Sequence, residues 1–210
     1  MKATTTMARR IAGSELPRAA GSVVLAAMWA TFAWRHTAAY VQTGHLSYVV
    51  FCLSETLQAT LFLVRFRPAS VSTRVTDWVI AVGATAAPLF LVPHPDGLGW
   101  QGEALVVSGA LLQLVSLMSL NRSFAIVPAK RKIRTGGMYR IVRHPVYAAY
   151  VIMFSGYVWA NTTAWNVALY FLIVACNIAR IGNEEKHLGA DADYREYATR
   201  VRYRLVPFVY

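Results

Sequence analysis

Lys130–Tyr147 reads KRKIRTGGMYRIVRHPVY. The segment is basic, carries the pair Gly136-Gly137 and closes on Arg143-His144-Pro145. Apolar runs flank it, Glu103–Leu120 before and Val146–Ala160 after. A polar, basic segment of this kind between two apolar helices is where the chemistry is expected. Such a loop stays at the water-facing ends of the helices, because charges within the bilayer are costly.

Working outward, six apolar blocks are found: Ala19–Trp34, Leu46–Val64, Val75–Val92, Glu103–Leu120, Val146–Ala160 and Ala164–Ala179. Several are at the short end of the ~17–25 residues that a spanning helix needs. The 210 residues are 56% hydrophobic and 15% charged, well below the roughly 25% charged of soluble domains. The expected fold is all-α, a polytopic transmembrane bundle of about six spans, in one structural domain. The formal charge of +11 reads as positive-inside topology and attraction to anionic lipid, not as a nucleic-acid site. Cys52 and Cys176 lie inside apolar runs, so neither a disulfide framework nor a metal site is expected. Met1–Pro17 is polar and basic, and no small-residue cleavage pattern ends the next apolar run, so a retained first helix is expected.

If all six blocks span from a cytoplasmic N-terminus, every Lys and Arg except Arg35 lies on the cytoplasmic side. The opposite loops carry Asp96 and Glu103. This asymmetry predicts a multi-pass protein with both termini cytoplasmic, in the cell inner membrane.

Polar residues within the blocks are few. Glu55 has Gln58 one turn later on the same face. A buried glutamate hydrogen-bonded to a neighbouring helix, or a part in substrate access, are the two readings of that pair. Pro88 should kink the third helix. From Asn121 to Pro145 irregular backbone is expected. Gly136 and Gly137 allow positive φ and close main-chain approach. Pro145 suits the first turn of helix five with His144 at its N-cap, and the free N–H groups there suit an anion. Tyr147, Tyr150, Phe154 and Tyr157 form an aromatic face on helix five, with the last two read as packing. The short turn Asn161–Thr163 returns helix six antiparallel. Its end, with Arg180 and Glu184 on one face followed by Glu185, should then meet the start of helix five. The tail from Tyr194 alternates aromatic and basic residues and reads as an amphipathic segment on the membrane face.

Thr135-Gly136-Gly137-Met138-Tyr139 and Arg143-His144-Pro145-Val146-Tyr147 resemble the signature of the isoprenylcysteine carboxyl methyltransferase family and its phospholipid methyltransferase relatives. Arg122-Ser123-Phe124, Glu184-Glu185, Tyr194 with Tyr197, and the ending Arg202–Pro207 are similar to the family's pattern too. The resemblance covers roughly residues 120–210. It divides the chain into variable transmembrane helices, 1–120, and a methyltransferase-like half, 121–210, with a helix five–six hairpin and amphipathic tail. It implies an integral-membrane enzyme that uses S-adenosylmethionine to methylate a lipophilic acceptor: a prenylcysteine carboxylate, a lipid amine or a thiol. It places Thr135, Gly136, Gly137, Met138, Tyr139, Arg143, His144, Pro145, Tyr147 and Glu185 around the cofactor, and assigns Arg180 and Glu184 to the acceptor. Two departures stand out: Ala149 occupies a position where the family often has Gly, and the stretch from Glu185 to Tyr194 is short.

Two other functions share this sequence pattern. Membrane sterol reductases, which bind NADPH, have a similar tail but carry Arg-His-x-Asn where this chain has Arg143-His144-Pro145. A non-enzymatic membrane protein that kept the fold is the other.

Overall fold

The computed structural model describes the backbone of residues 15–64, 70–94, 99–120, 123, 127–130 and 133–209, and their side chains except 15–26, 61–64 and 130. Met1 to Ser14, Arg65, Arg67, Asp96, Arg122, Phe124, Arg131, Lys132 and Tyr210 lie outside the described residues. Seven helices are found among them: α1 Glu15–Thr43, α2 Leu46–Val64, α3 Val75–Ala86, α4 Gly99–Leu120, α5 Pro145–Ala160, α6 Ala164–Leu188 and α7 Ala192–Arg200. Short 3-10 turns cover Ala87–Phe90 and Gly137–Arg140.

Helices sit where the apolar blocks predicted, because a helix satisfies its own backbone where water cannot. The blocks fell short at both ends of α1, at the start of α4 and at the end of α6. α1 continues to Thr43 and α6 to Leu188, since the polar residues beyond each block are themselves adequate helix formers. The apolar run of α6 ends at Ile181, and its last two turns, Gly182–Leu188, are polar. Pro88 does not kink a continuous helix. The α-helix ends at Ala86 and the chain tightens into the 3-10 turn that holds Pro88.

Among the described residues, two helices, α4 and α6, are long and apolar enough by length and composition to cross a membrane, and α5 and the α3 segment are shorter apolar helices. Their outer faces are apolar: Leu111, Leu114, Val115 and Met118 of α4 and Phe171, Leu172 and Ile178 of α6 are exposed.

The closest helix pair is α4 with α5, and glycine sets the distance. A Cβ placed at Gly109 would lie 2.5 Å from the Met153 amide nitrogen, and one at Gly156 would lie 2.7 Å from the Val106 amide nitrogen. Small residues at such crossings let backbones touch where apolar transfer alone gives no drive to associate. The aromatic face of α5 forms the core with α1 and α2: Phe154 stacks on Tyr150 and meets Phe51 edge-on, and the Tyr157 hydroxyl bonds His36 Nε2 at 2.8 Å. Packing is thus the role of Phe154 and Tyr157, as expected.

The two ends of the bundle differ. At one end Tyr48 Oη donates to Asn161 Oδ1 (2.8 Å) and the His94 amide donates to the same oxygen (2.7 Å). At the other end lies a two-stranded antiparallel ladder unforeseen in the sequence, β1 Ser70–Val71 with β2 Ala129–Lys130. Ser70 Oγ also meets His187 Nε2 at 3.2 Å. Pairs of two residues leave too little alternation to be read from sequence. The ladder ties the loop after α2 to the basic loop before α5.

Candidate functional site

The site is built from the end of α4, the basic loop, the start of α5, the end of α6 and the tail. Gly137 has φ 58°, and a Cβ there would fall 2.3 Å from Ser119 Oγ. Only glycine fits both the left-handed backbone and that approach. Gly136 is extended and has open space around it. The demand thus falls on Gly137 alone, and the close neighbour is a serine of α4. The turn presents Tyr139 inward. There α7 docks, with Tyr194 and Tyr197 buried against Tyr139, and Tyr197 Oη donating to the Tyr139 carbonyl at 2.8 Å. Burial pushes the Tyr197 hydroxyl up to about 12, despite the opposing pull of Arg143. The expectation for the tail is corrected in part: Tyr194 and Tyr197 turn into the protein, while Val206, Phe208 and Val209 further on are exposed.

Glu185 anchors the tail. Its Oε1 accepts from Arg143 Nε (2.8 Å) and meets His144 Nε2 (3.1 Å), while Oε2 accepts from Arg204 Nε (2.8 Å). Arg143 Nη1 donates to the Val201 and Arg202 carbonyls (3.0 and 2.9 Å), and the Arg143 and His144 amides donate to the Tyr203 and Arg204 carbonyls (2.8 and 2.9 Å). Burial alone would raise the Glu185 carboxyl, but hydrogen bonds from His144, Arg204 and Arg143 outweigh it and hold it at about 2.

Above this anchor opens a cavity enclosing about 810 Å³ of empty space, its open mouth included. Tyr139, Arg143, His144, Tyr147, Tyr150, Arg180, Glu184, Tyr194 and Tyr197 are on its wall, with Ser123 and Arg134. Tyr147 Oη donates to Glu184 Oε2 at 3.1 Å, and the Arg180 guanidinium lies 5.3 Å from the centre of the Tyr147 ring. That is cation–π distance. Tyr150 Oη donates to Gln58 Oε1 at 2.5 Å, and Gln58 Nε2 donates to Glu55 Oε1 at 3.2 Å. Among the described residues, Ser123 Oγ, Arg134 Nε and Tyr194 Oη on this wall are buried without a hydrogen-bond partner. Leaving such atoms unsatisfied costs about 1–3 kcal/mol each, so a polar ligand fits the cavity better than an apolar one.

Residues 99–191 match the phospholipid methyltransferase family. Through this segment, 93 of the 210 residues, the chain is similar to that family. No match is found among curated protein sequences. The matching segment starts a whole helix earlier than the resemblance from residue 120 and stops at Asp191, before α7. The glycine contacts of α4 with α5 give the earlier start its physical sense. Within this phospholipid methyltransferase segment lies all of the cavity wall except Tyr194 and Tyr197.

The sequence-predicted residues divide in two. Tyr139, Arg143, His144, Tyr147, Arg180 and Glu184 meet on the cavity wall. Thr135, Gly136, Gly137, Met138, Pro145 and Glu185 are not on that wall: Pro145 starts α5, the glycines form the turn, and Glu185 holds the tail. Ser123, Arg134, Tyr150, Tyr194 and Tyr197 also line the wall without being among the site residues expected from sequence. Ser123, Tyr194 and Tyr197 belong to the motifs that carry the resemblance, and Tyr150 to the aromatic stripe. Gln58 carried no local signal of contact with helix five.

Proposed function

We propose that this chain transfers a methyl group from S-adenosylmethionine to a lipophilic acceptor at the membrane, a prenylcysteine-like carboxylate, a lipid amine or a thiol. The observation that carries the reading is the cavity in the phospholipid methyltransferase segment, with Arg180, Tyr147 and Glu184 on one wall and unsatisfied polar atoms on another. The bound cofactor supplies an electrophilic methyl group on a sulfonium. Ser123, Arg134 and Tyr194 are suited to its polar ends, for their buried N–H and O–H groups lack partners among the described residues. The rings of Tyr139 and Tyr147 offer aromatic faces to a cation. His144 and Arg143, held by Glu185, fix the start of α5 and the tail around the cofactor. The turn Thr135–Met138 and Pro145 set the backbone of that wall. Arg180 and Glu184 orient the acceptor: Arg180 for an anionic headgroup, Glu184 for an acceptor that loses a proton. Alignment and exclusion of water supply most of the rate, because methyl transfer needs little more.

The proposed setting is a multi-pass protein of the inner membrane with both termini and the cavity on the cytoplasmic side. Three observations support it. All Lys and Arg but Arg35 fall on one side of a six-span arrangement. The basic loop, the end of α6 and the tail gather at one end of the bundle. Trp100, Trp159 and Trp165 are exposed in the terminal turns of α4, α5 and α6 at the other end, as in an interfacial belt.

The test is transfer of labelled methyl from S-adenosylmethionine into the lipid extract of membranes that hold the protein, with mass identification of the product. S-adenosylhomocysteine should raise the thermal midpoint of the purified protein and NADPH should not. No label transfer together with no shift from S-adenosylhomocysteine refutes the reading.

A further inference from the structure

Behind the cavity, a polar chain runs across three helices. Glu55 on α2 accepts from Gln58 Nε2, so the amide group of Gln58 turns its oxygen toward α5, and that oxygen accepts from Tyr150 Oη. An amide oxygen has no proton to give. The Tyr150 hydrogen is therefore committed to Gln58, and only lone pairs of its oxygen remain for the cavity. Tyr147, one turn earlier on the same face, is in the same state: its hydrogen goes to Glu184. The two rings meet edge-on, 6.0 Å between centres. The cavity wall along α5 thus carries two phenol oxygens that accept and do not donate.

We propose that Gln58 is a specificity-determining positioning residue. By fixing the Tyr150 hydroxyl it selects a methyl acceptor whose nucleophile carries its own hydrogen, an amine or thiol, over a carboxylate. This rests on the methyl-transfer reading of the cavity. An N–H or S–H finds a lone pair on Tyr150, which aims the nucleophile's own lone pair away from α5. A carboxylate brings only lone pairs to the two α5 phenol oxygens, so on that side acceptors face acceptors and only Arg180, over the Tyr147 ring, answers its charge. In the transfer, the acceptor's lone pair forms the new bond to the methyl carbon. The carbon–sulfur bond of the donor breaks with its electron pair left on sulfur, which changes from sulfonium to thioether. The acceptor's surplus proton passes to Glu184 on the same wall and thence to water. Gln58 carries no proton, since its amide serves only to orient Tyr150.

The test uses the full chain in neutral detergent and three amphiphiles of one chain length: dodecylamine, dodecanethiol and dodecanoic acid. Binding of each is measured by titration without cofactor, and S-adenosylhomocysteine affinity is measured on the same preparations. The wild type should bind the amine or the thiol at least about tenfold more tightly than the acid, the size of one hydrogen bond. In Gln58→Leu the Tyr150 hydroxyl turns free, and this preference should collapse, with dodecanoic acid gaining. Gln58→Glu keeps an oxygen acceptor for Tyr150 and should keep the preference. S-adenosylhomocysteine affinity should stay within about twofold throughout. A wild type that prefers the acid overturns the proposal. So does an unchanged preference in Gln58→Leu. If Gln58→Leu does not fold, Tyr150→Phe decides by the same ratio: a collapsed preference supports the proposal and an unchanged one overturns it. Absence of S-adenosylhomocysteine binding in the wild type would instead sink the methyl-transfer reading, while the head-group ratio still decides the role of Gln58.

Discussion

Glu185→Gln should cost this protein about 4 kcal/mol. The substitution keeps the shape and removes the charge that three basic side chains share. Arg143 and Glu185 are 11% and 13% exposed, so their pair is largely out of water, while Arg204 is 37% exposed. Removing one partner of a buried ion pair costs about 3–5 kcal/mol, since the other charge stays buried. The Arg204 contact, screened by solvent, adds about 1 kcal/mol or less. Against the effect of burial, the same hydrogen bonds bring the carboxyl from an ordinary 4.5 down to about 2 on folding, a stabilisation of the same sign at neutral pH. The sign follows from a depressed acid: the stabilisation is complete above the unfolded value and is lost as pH falls through the range from 4.5 to about 2. Thermal unfolding in detergent, followed between pH 7 and 2, is the assay. The variant should melt about ten degrees lower at pH 7, and the difference from wild type should shrink as the pH falls from 5 to 2. A variant within about 1 kcal/mol of wild type at pH 7 would refute the reasoning, as would a pH-independent difference.

Gly109→Leu should prevent α4 and α5 from closing, because even a Cβ there meets the Met153 backbone at 2.5 Å; lost monodisperse yield on gel filtration is the measure. Gly137→Ala should cost about 1–3 kcal/mol through its positive φ and the Ser119 contact, whereas Gly136→Ala should be neutral, both read by thermal unfolding. Arg180→Ala should lower methyl transfer by about 10²–10³ with S-adenosylhomocysteine affinity within a few-fold, as for loss of one electrostatic positioning group; an equal collapse of cofactor affinity would move Arg180 to the cofactor. Alkaline phosphatase fused at Tyr210 should be inactive and fused in the loop between Pro93 and Gly99 active; the reverse would refute the six-span topology.

The apolar blocks located six of the seven described helices, because a chain that leaves water must close its backbone bonds locally, while the polar α7 came from none of them. Leu46–Val64 and the start at Ala164 came out residue for residue. The turn Asn161–Thr163 also determined that α6 runs back beside α5, and hence that Glu184 and Glu185 meet His144 and Tyr147. Those contacts join residues about 40 apart through a single reversal, which a sequence can convey. What only the tertiary structure decided spans several reversals. Gln58 reaches Tyr150 across 92 positions and the β1–β2 ladder pairs Ser70 with Lys130. The inward turn of Tyr194 and Tyr197 depends on a pocket that exists only once Tyr139 and the end of α4 are in place. Helix periodicity fixes which residues share a face. Which neighbour that face meets depends on packing, and here the glycines of α4 and α5 set it by the distance at which two backbones touch.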